Sequence, residues 1–261
     1  MKKTLIDVIF MSEKRKNALL LLQDGAKEME DLLTSLKTNR QSLLPQIRVL
    51  EEHYLVTHYK DAYELTTIGK LIIDKIVPLV SIIQVLEVDI EYWESHNLEF
   101  IPSSFLERIN ELSRCKVIIP TITEIFDVNK DFVKSAFNST HIYLLTTIMH
   151  PSFPPLLSEF IKDDRKVTMI IPDELYIKFT HELYDLFKSF IAHGGVEFYL
   201  YQGDLKVTTL SITDSCFILR LLSKNNDFSH KQLLCNDHES YQWSRDLFDY
   251  YLRNSTPITE I

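Results

Sequence analysis

Apolar residues recur three and four apart from the beginning of the chain. Leu5, Val8 and Ile9, then Ala18, Leu19 and Leu22, predict a first helix over residues 4–22. Ser12 stands before Glu13, where it can cap a fresh turn, and Gly25 follows Asp24 as a stop. Met29, Leu32, Leu33 and Leu36 share one stripe of a second helix, Ala26 to Leu36. A third stripe, Leu43, Ile47 and Leu50, carries a polar and basic opposite face: Asn39, Arg40, Gln41, Ser42, Gln46 and Arg48. Proline is tolerated in a first turn, so Pro45 puts the regular start of this helix near Ser42, after a turn or distorted first turn over 38–41. Leu55, Val56, Thr57 and His58 then alternate as a strand does. Lys60-Asp61 marks a turn, and Tyr63, Glu64 and Leu65 return. Helix, helix and hairpin in that order predict a winged helix-turn-helix, whose recognition helix holds base-contacting side chains near its N-terminal end.

After Thr66 or Thr67 as a cap, residues 68–97 read as one long helix, apolar on almost every side and bent at Pro78. Such a helix needs cover, from the rest of the chain or from a second copy. From Ile101 the period changes. Strands are expected at Cys115–Ile119, His141–Thr146, Val167–Ile171, Val196–Tyr201, Lys206–Thr213 and Cys216–Leu222. Helices are expected at Lys130–Phe137, Pro154–Lys162, Asp173–His193 and Tyr241–Arg253. Near-continuous apolar strands between helices predict a parallel sheet covered on both faces. The Thr213-Asp214-Ser215 turn adds an antiparallel edge, and His193-Gly194-Gly195 ends a helix. The expected organisation is a two-domain α+β and α/β chain. Residues 1–70 form the winged helix-turn-helix DNA-binding domain, 71–100 a linker and dimerisation helix, and 101–261 an α/β effector-type domain with a mostly parallel mixed sheet.

Charge complicates the nucleic-acid reading. The whole chain carries −9, yet residues 1–75 hold 12 Lys and Arg against 11 Asp and Glu, and the remainder 16 against 26. The acidity belongs to the C-terminal part, and the N-terminal part offers phosphate only a weak footprint. Three cysteines, Cys115, Cys216 and Cys235, lie far apart and form no CxxC pair. That spacing argues against zinc and against a disulfide framework, and fits a reducing cytoplasm. The first residues do not read as an apolar leader with a cleavage site, so secretion is not expected. The run from Leu71 to Val88 is interrupted by Asp74, Lys75, Gln84 and Glu87, too polar for a membrane span.

Longer stretches add a family. SLLPQIRVLEEHYLV, YELTTIGKLI, YWESHNLEFIPSSFLERINELSRC, ITDSCFILRLL and YQWSRDLFDYYLRNS, spread over nearly the whole chain, resemble archaeal winged-helix transcriptional regulators of methanogens. The C-terminal domain of that family is named for a methanogenesis regulatory protein. The resemblance implies sequence-specific binding of double-stranded DNA as a homodimer, with a C-terminal domain that senses a small molecule. It places the recognition role on Arg40 to Arg48 and the wing role on His58, Tyr59, Lys60 and Asp61. It transfers no catalytic residue.

Reactive constellations do not emerge. No HExxH, P-loop or Gly-x-Ser-x-Gly pattern is present, and five glycines leave no phosphate cradle. His58-Tyr59-Lys60 begins like the HxK of phospholipase-type phosphodiesterases, but Leu65 stands where the later Asp is needed. An enzyme, a metal and a cofactor are therefore not expected. Arg40 pairs naturally with guanine and Asn39 or Gln41 with adenine. Sheets of this type take ligands at strand carboxyl ends, which nominates His150, Tyr199 and Tyr201, with Arg220 in FILRLL as an anion anchor. Packing roles compete for each of these. The rival to the regulator reading is a protein-interaction module that uses the winged helix without DNA.

Overall fold

The computed structural model describes residues 4–125 and 127–260. Backbone contacts divide the chain into two compact units, Met1–Ser81 and Ile82–Ile261.

The first unit opens with α1 (Leu5–Phe10) and α2 (Glu13–Leu21). The helix expected over 4–22 is thus broken, because Ser12 adopts an extended conformation and caps α2 through the Arg15 amide. A 3₁₀ turn, Leu22–Asp24, ends at Gly25 with φ 120°, a conformation that favours glycine. Residues 27 and 28 are not helical as expected. Lys27–Glu28 (β1) pair with the hairpin, and α3 (Met29–Ser35) starts only after them. Next come α4 (Arg40–Glu52), β2 (Val56–Tyr59) and β3 (Ala62–Leu65). Lys60, at φ 57°, turns the chain between β2 and β3, which pair antiparallel in the order β1-β3-β2. Val8, Leu19, Met29, Leu32, Leu43, Ile47 and Leu50 close over one core, joined by Ile73 and Ile76 of α5 (Thr67–Val88).

The helix expected to run to Asn97 stops at Val88. Asp89 leaves the helical region and caps α6 (Ile90–Ser95), its side chain accepting from the Tyr92 amide. Short α7 (Ser103–Leu106) and β4 (Lys116–Ile118) follow, then α8 (Lys130–Phe137), β5 (His141–Thr146), α9 (Phe153–Lys162) and β6 (Lys166–Pro172). Leu183 interrupts the expected 173–193 helix, giving α10 (Asp173–Glu182) and α11 (Tyr184–His193), the latter ended by Gly194 at φ 67°. β7 (Val196–Tyr201), β8 (Val207–Ile212), β9 (Phe217–Leu221), β10 (Gln232–Cys235), α12 (His238–Arg253) and β11 (Ser255–Ile258) complete the unit.

Its eight-stranded sheet has the order β11-β7-β6-β5-β8-β9-β10-β4. Only β5–β6 and β6–β7 are parallel; the other five pairings are antiparallel. The expectation of a mostly parallel sheet is therefore corrected. A parallel neighbour needs a long crossover, and helices supply one only between β5, β6 and β7. Trp243, Phe248 and Tyr251 of α12 cover one face, and Phe132, Phe160, Phe179 and Phe187 of α8–α11 cover the other. The cysteine expectation changes as well. Cys115 and Cys235, 120 residues apart, are disulfide-bonded beside the β4–β10 pairing, and Cys216 is a buried free thiol. The intervening chain hides this proximity from a spacing argument. Among the described residues no helix is long and apolar enough to cross a membrane, and no His, Cys, Asp and Glu cluster suits a metal.

Candidate nucleic-acid interface

The sequence divides α4 into two faces, and the fold keeps them apart. Leu43, Ile47 and Leu50 are fully buried against the preceding helices. Arg40, Gln41, Pro45, Arg48 and Glu52 lie on the exposed side. The helix begins at Arg40, two residues before the expected start, because Asn39 caps it and accepts from the Ser42 amide at 2.9 Å. Pro45 consequently sits inside the helix, where it has no amide to offer Gln41.

Several of the nine expected DNA contacts are engaged within the unit. Asn39 commits one acceptor site of its side-chain oxygen to the cap, the same atom that a bidentate adenine contact would use. Gln46 is turned inward: its Oε1 accepts from Arg15 at 2.9 Å and from Ser12 at 3.2 Å, bracing α4 on α2. Arg15 itself is buried and also donates to the Val8 carbonyl. Ser42 accepts from Lys14, and His58 pairs with Glu51 while packing on Tyr63. Arg40 remains half exposed but is paired with Asp61 at 2.6 Å across the hairpin turn. That hydrogen bond and the Asp61 charge stabilise its charged form. Gln41 and Arg48 stay on the solvent face, and Arg48 forms no ion pair among the described residues. Tyr59, more than three-quarters exposed, projects from the hairpin tip with the Lys60 ammonium 5.5 Å from its ring.

The arrangement is a helix presenting the Gln41 amide and the Arg40 and Arg48 guanidiniums beside a hairpin tip carrying an aromatic ring and an ammonium. Chemically it can bridge a groove edge and a phosphate. Lys14 and Glu51, which tune the surface, were not nominated from sequence, and Asp61 was nominated only as part of the wing, not as a partner of Arg40. Asp61 lies 21 residues from Arg40 and Lys14 lies 28 from Ser42, so no local pattern joins them. A first expected outcome concerns the cap. Asn39→Ala should lower the stability of this unit by about 1 kcal/mol, and Asn39→Ser should restore most of it. Denaturant melts of the three proteins would measure this.

The four effector candidates of the second unit separate. His150 and Arg220 line one cleft, between β8–β9 and the start of α8. Tyr199 and Tyr201 occupy the other face of the sheet, packed against the α12 side. Strand alternation explains this, since Phe198, next to Tyr199, faces α10 and α11. The Tyr201 ring meets Tyr251 at 5.4 Å, and both tyrosines are half-buried on the α12 side, apart from the His150–Arg220 cleft.

Comparison with known proteins gives these features a context. A family model described as the N-terminal domain of methanogenesis regulatory protein FilR1 matches residues 3–87. A second, described as the middle domain of the same protein, matches residues 125–254. Methanogenesis regulatory protein FilR1 of Methanothrix harundinacea (strain 6Ac) is 21% identical over 98% of this chain. The chain spans 58% of that relative's length. Among solved structures, the archaeal chromatin protein TrmBL2 aligns over 97% of both chains at 13% identity with a TM-score of 0.44. A phosphatidylserine synthase of Haemophilus influenzae Rd KW20 aligns over 56% of this chain and 40% of its own, at 10% identity and a TM-score of 0.41.

Proposed function

The chain belongs to the methanogenesis regulatory protein FilR1 family, and from that premise we propose that it is a sequence-specific, DNA-binding transcriptional regulator acting as a homodimer. The observation that carries the reading is the division of α4: an apolar stripe fully buried, and Arg40, Gln41 and Arg48 turned to solvent. In this reading α3, α4 and the β2–β3 hairpin are a winged helix-turn-helix. α4 enters the major groove, and Tyr59 and Lys60 lie along the backbone or minor groove. Residues 1–70 bind DNA, 71–100 connect and dimerise, and 101–261 form the effector domain, in the cytoplasm. Fluorescence anisotropy on labelled genomic duplexes tests the reading, and indifference to every duplex at low ionic strength would end it.

Dimerisation is supported by α5. Ile68, Leu71 and Leu79 are between 48% and 67% exposed on it, and Ile83 and Val88 continue the apolar content. Large apolar side chains gathered along one helix usually mark a contact surface. Leu71→Glu with Leu79→Glu should convert a dimer to a monomer in sedimentation equilibrium and weaken duplex binding. A wild-type protein already monomeric at micromolar concentration would contradict the seam.

A second reading has one observation behind it. Arg40 is neutralised by Asp61, and His58 is held by Glu51, so two of the expected contacts of this surface already have acidic partners. A protein partner would suit that surface. The two readings differ in salt response, since phosphate contacts weaken steeply with added salt and apolar interfaces do not.

A further inference from the structure

Arg220 occupies an improbable position. It stands in β9 between Leu219 and Leu221, both fully buried, and shares the sheet face of Ile218. Its terminal nitrogen donates to Gln232 Oε1 at 2.9 Å, but its Nε is buried with no hydrogen-bond partner. No carboxylate pairs with it among the described residues. Burial lowers its pKa, and the nearby Tyr92 phenol only partly opposes that shift. A desolvated guanidinium is tolerated when an anion completes its coordination. An aromatic group, Phe228, lies 5.9 Å from its guanidinium carbon and offers only a weak contact.

The cleft beside it supplies the rest of a site. Thr209 and Ser211, bonded to each other at 3.1 Å, present hydroxyls from β8 next to Arg220. Phe132, Ile148, Phe153 and Ile218 form an apolar wall, and His150 closes one side. Arg220 and Asp127 line both this cleft and the adjoining outer one. Asp127 forms no ion pair among the described residues. Farther out, Glu124 is paired with Lys130 at 3.5 Å, and Asp131 adds another carboxylate. One half-buried cation behind a mouth of carboxylates disfavours a dianion such as phosphate. It suits a ligand carrying one negative and one positive group, since a carboxylate reaches the guanidinium while an ammonium stays near Asp127.

We propose that this cleft binds a small zwitterionic amino carboxylate with an apolar side chain: its carboxylate on Arg220, Thr209 and Ser211, its ammonium toward Asp127, its side chain against Phe132 and Phe153. The proposal rests on the reading of the second unit as an effector domain and names that effector's class.

Isothermal titration of the full chain, without DNA, tests it with leucine and phenylalanine as probes. Matched carboxylic acids lacking the amine, matched amines, and inorganic phosphate are the comparison arms. The expected result is saturable binding of one amino acid, weakened at least about tenfold by removing its amine and likewise by Arg220→Gln. Asp127→Asn should erase the preference for the amine. Thr209→Val is the second variant, expected to weaken binding where Arg220→Gln disturbs the fold, which Trp fluorescence melts would reveal. No binding of either amino acid to the wild-type chain overturns the proposal. So does a preference for phosphate, or affinity unchanged in both Arg220→Gln and Thr209→Val. An effector of other chemistry would instead appear as altered duplex affinity with a metabolite extract, so failure of this ligand class is distinct from failure of the effector reading.

Discussion

Gly69→Ala is expected to destabilise the N-terminal unit by about 3 kcal/mol or more, at the upper end of overpacking effects. Gly69 lies at the start of α5, and its amide donates to Thr66 Oγ1 at 3.0 Å. A Cβ there would stand 2.1 Å from the Leu55 carbonyl oxygen and 3.0 Å from its carbon. Relief would require backbone to move, because the same carbonyl accepts from the Thr66 amide at 3.1 Å. The close approach therefore locks the helix start onto the beginning of the hairpin, and with it the angle between hairpin and α4. Both tryptophans, Trp93 and Trp243, belong to the second unit. Denaturation followed by tryptophan fluorescence should thus change little, while the circular-dichroism transition of the variant should begin at lower denaturant. Coincident, unshifted transitions would show that the close approach is absent.

Arg48→Ala is expected to weaken binding to a specific duplex by about 1–3 kcal/mol, roughly five- to 150-fold. Arg48 lies on the solvent side of α4, next in sequence to the buried Ile47, and among the described residues it has no acidic partner to release before meeting DNA. Arg40→Ala should cost less, because the wild-type side chain must first give up Asp61. Asp61→Asn should accordingly tighten binding. Competition titrations with matched and mismatched duplexes separate the roles. If Arg48 reads a base, its removal relaxes preference at one position; if it meets a phosphate, its removal weakens all sequences alike. Equal affinity for wild type and Arg48→Ala would remove α4 from the interface.

The elements were legible wherever one physical signal ruled. Period three-to-four marked α4 and α8, and continuous β-branched and aromatic runs marked β5 and β7 from end to end. Competing signals hid the rest. Lys27–Glu28 has no strand character of its own and is extended because β3 offers it a partner. β11 contains Pro257, which reads as a strand breaker yet is tolerated at a sheet edge. Asp89 sits in a run apolar enough to mask its role as a cap. For the candidate interface, the amphipathic split of α4 was readable. The inward turn of Gln46 was not, because its partner Arg15 is 31 residues distant. In the second unit, Arg220 could be singled out as a cation in an apolar strand. His150 was nominated separately, but that it lies across the cleft from Arg220 followed only from topology, since β5 and β9 are brought near each other by β8.

The regulator account turns most directly on the salt dependence of duplex binding by the full chain. Anisotropy titrations across rising salt should give a steep linear fall of log affinity with log salt concentration, and Arg48→Ala or Lys60→Ala should make that slope shallower by about 1 if the side chain meets phosphate. Binding that ignores salt, or no binding to any duplex at low salt, would contradict the assignment of α4 and the hairpin to DNA.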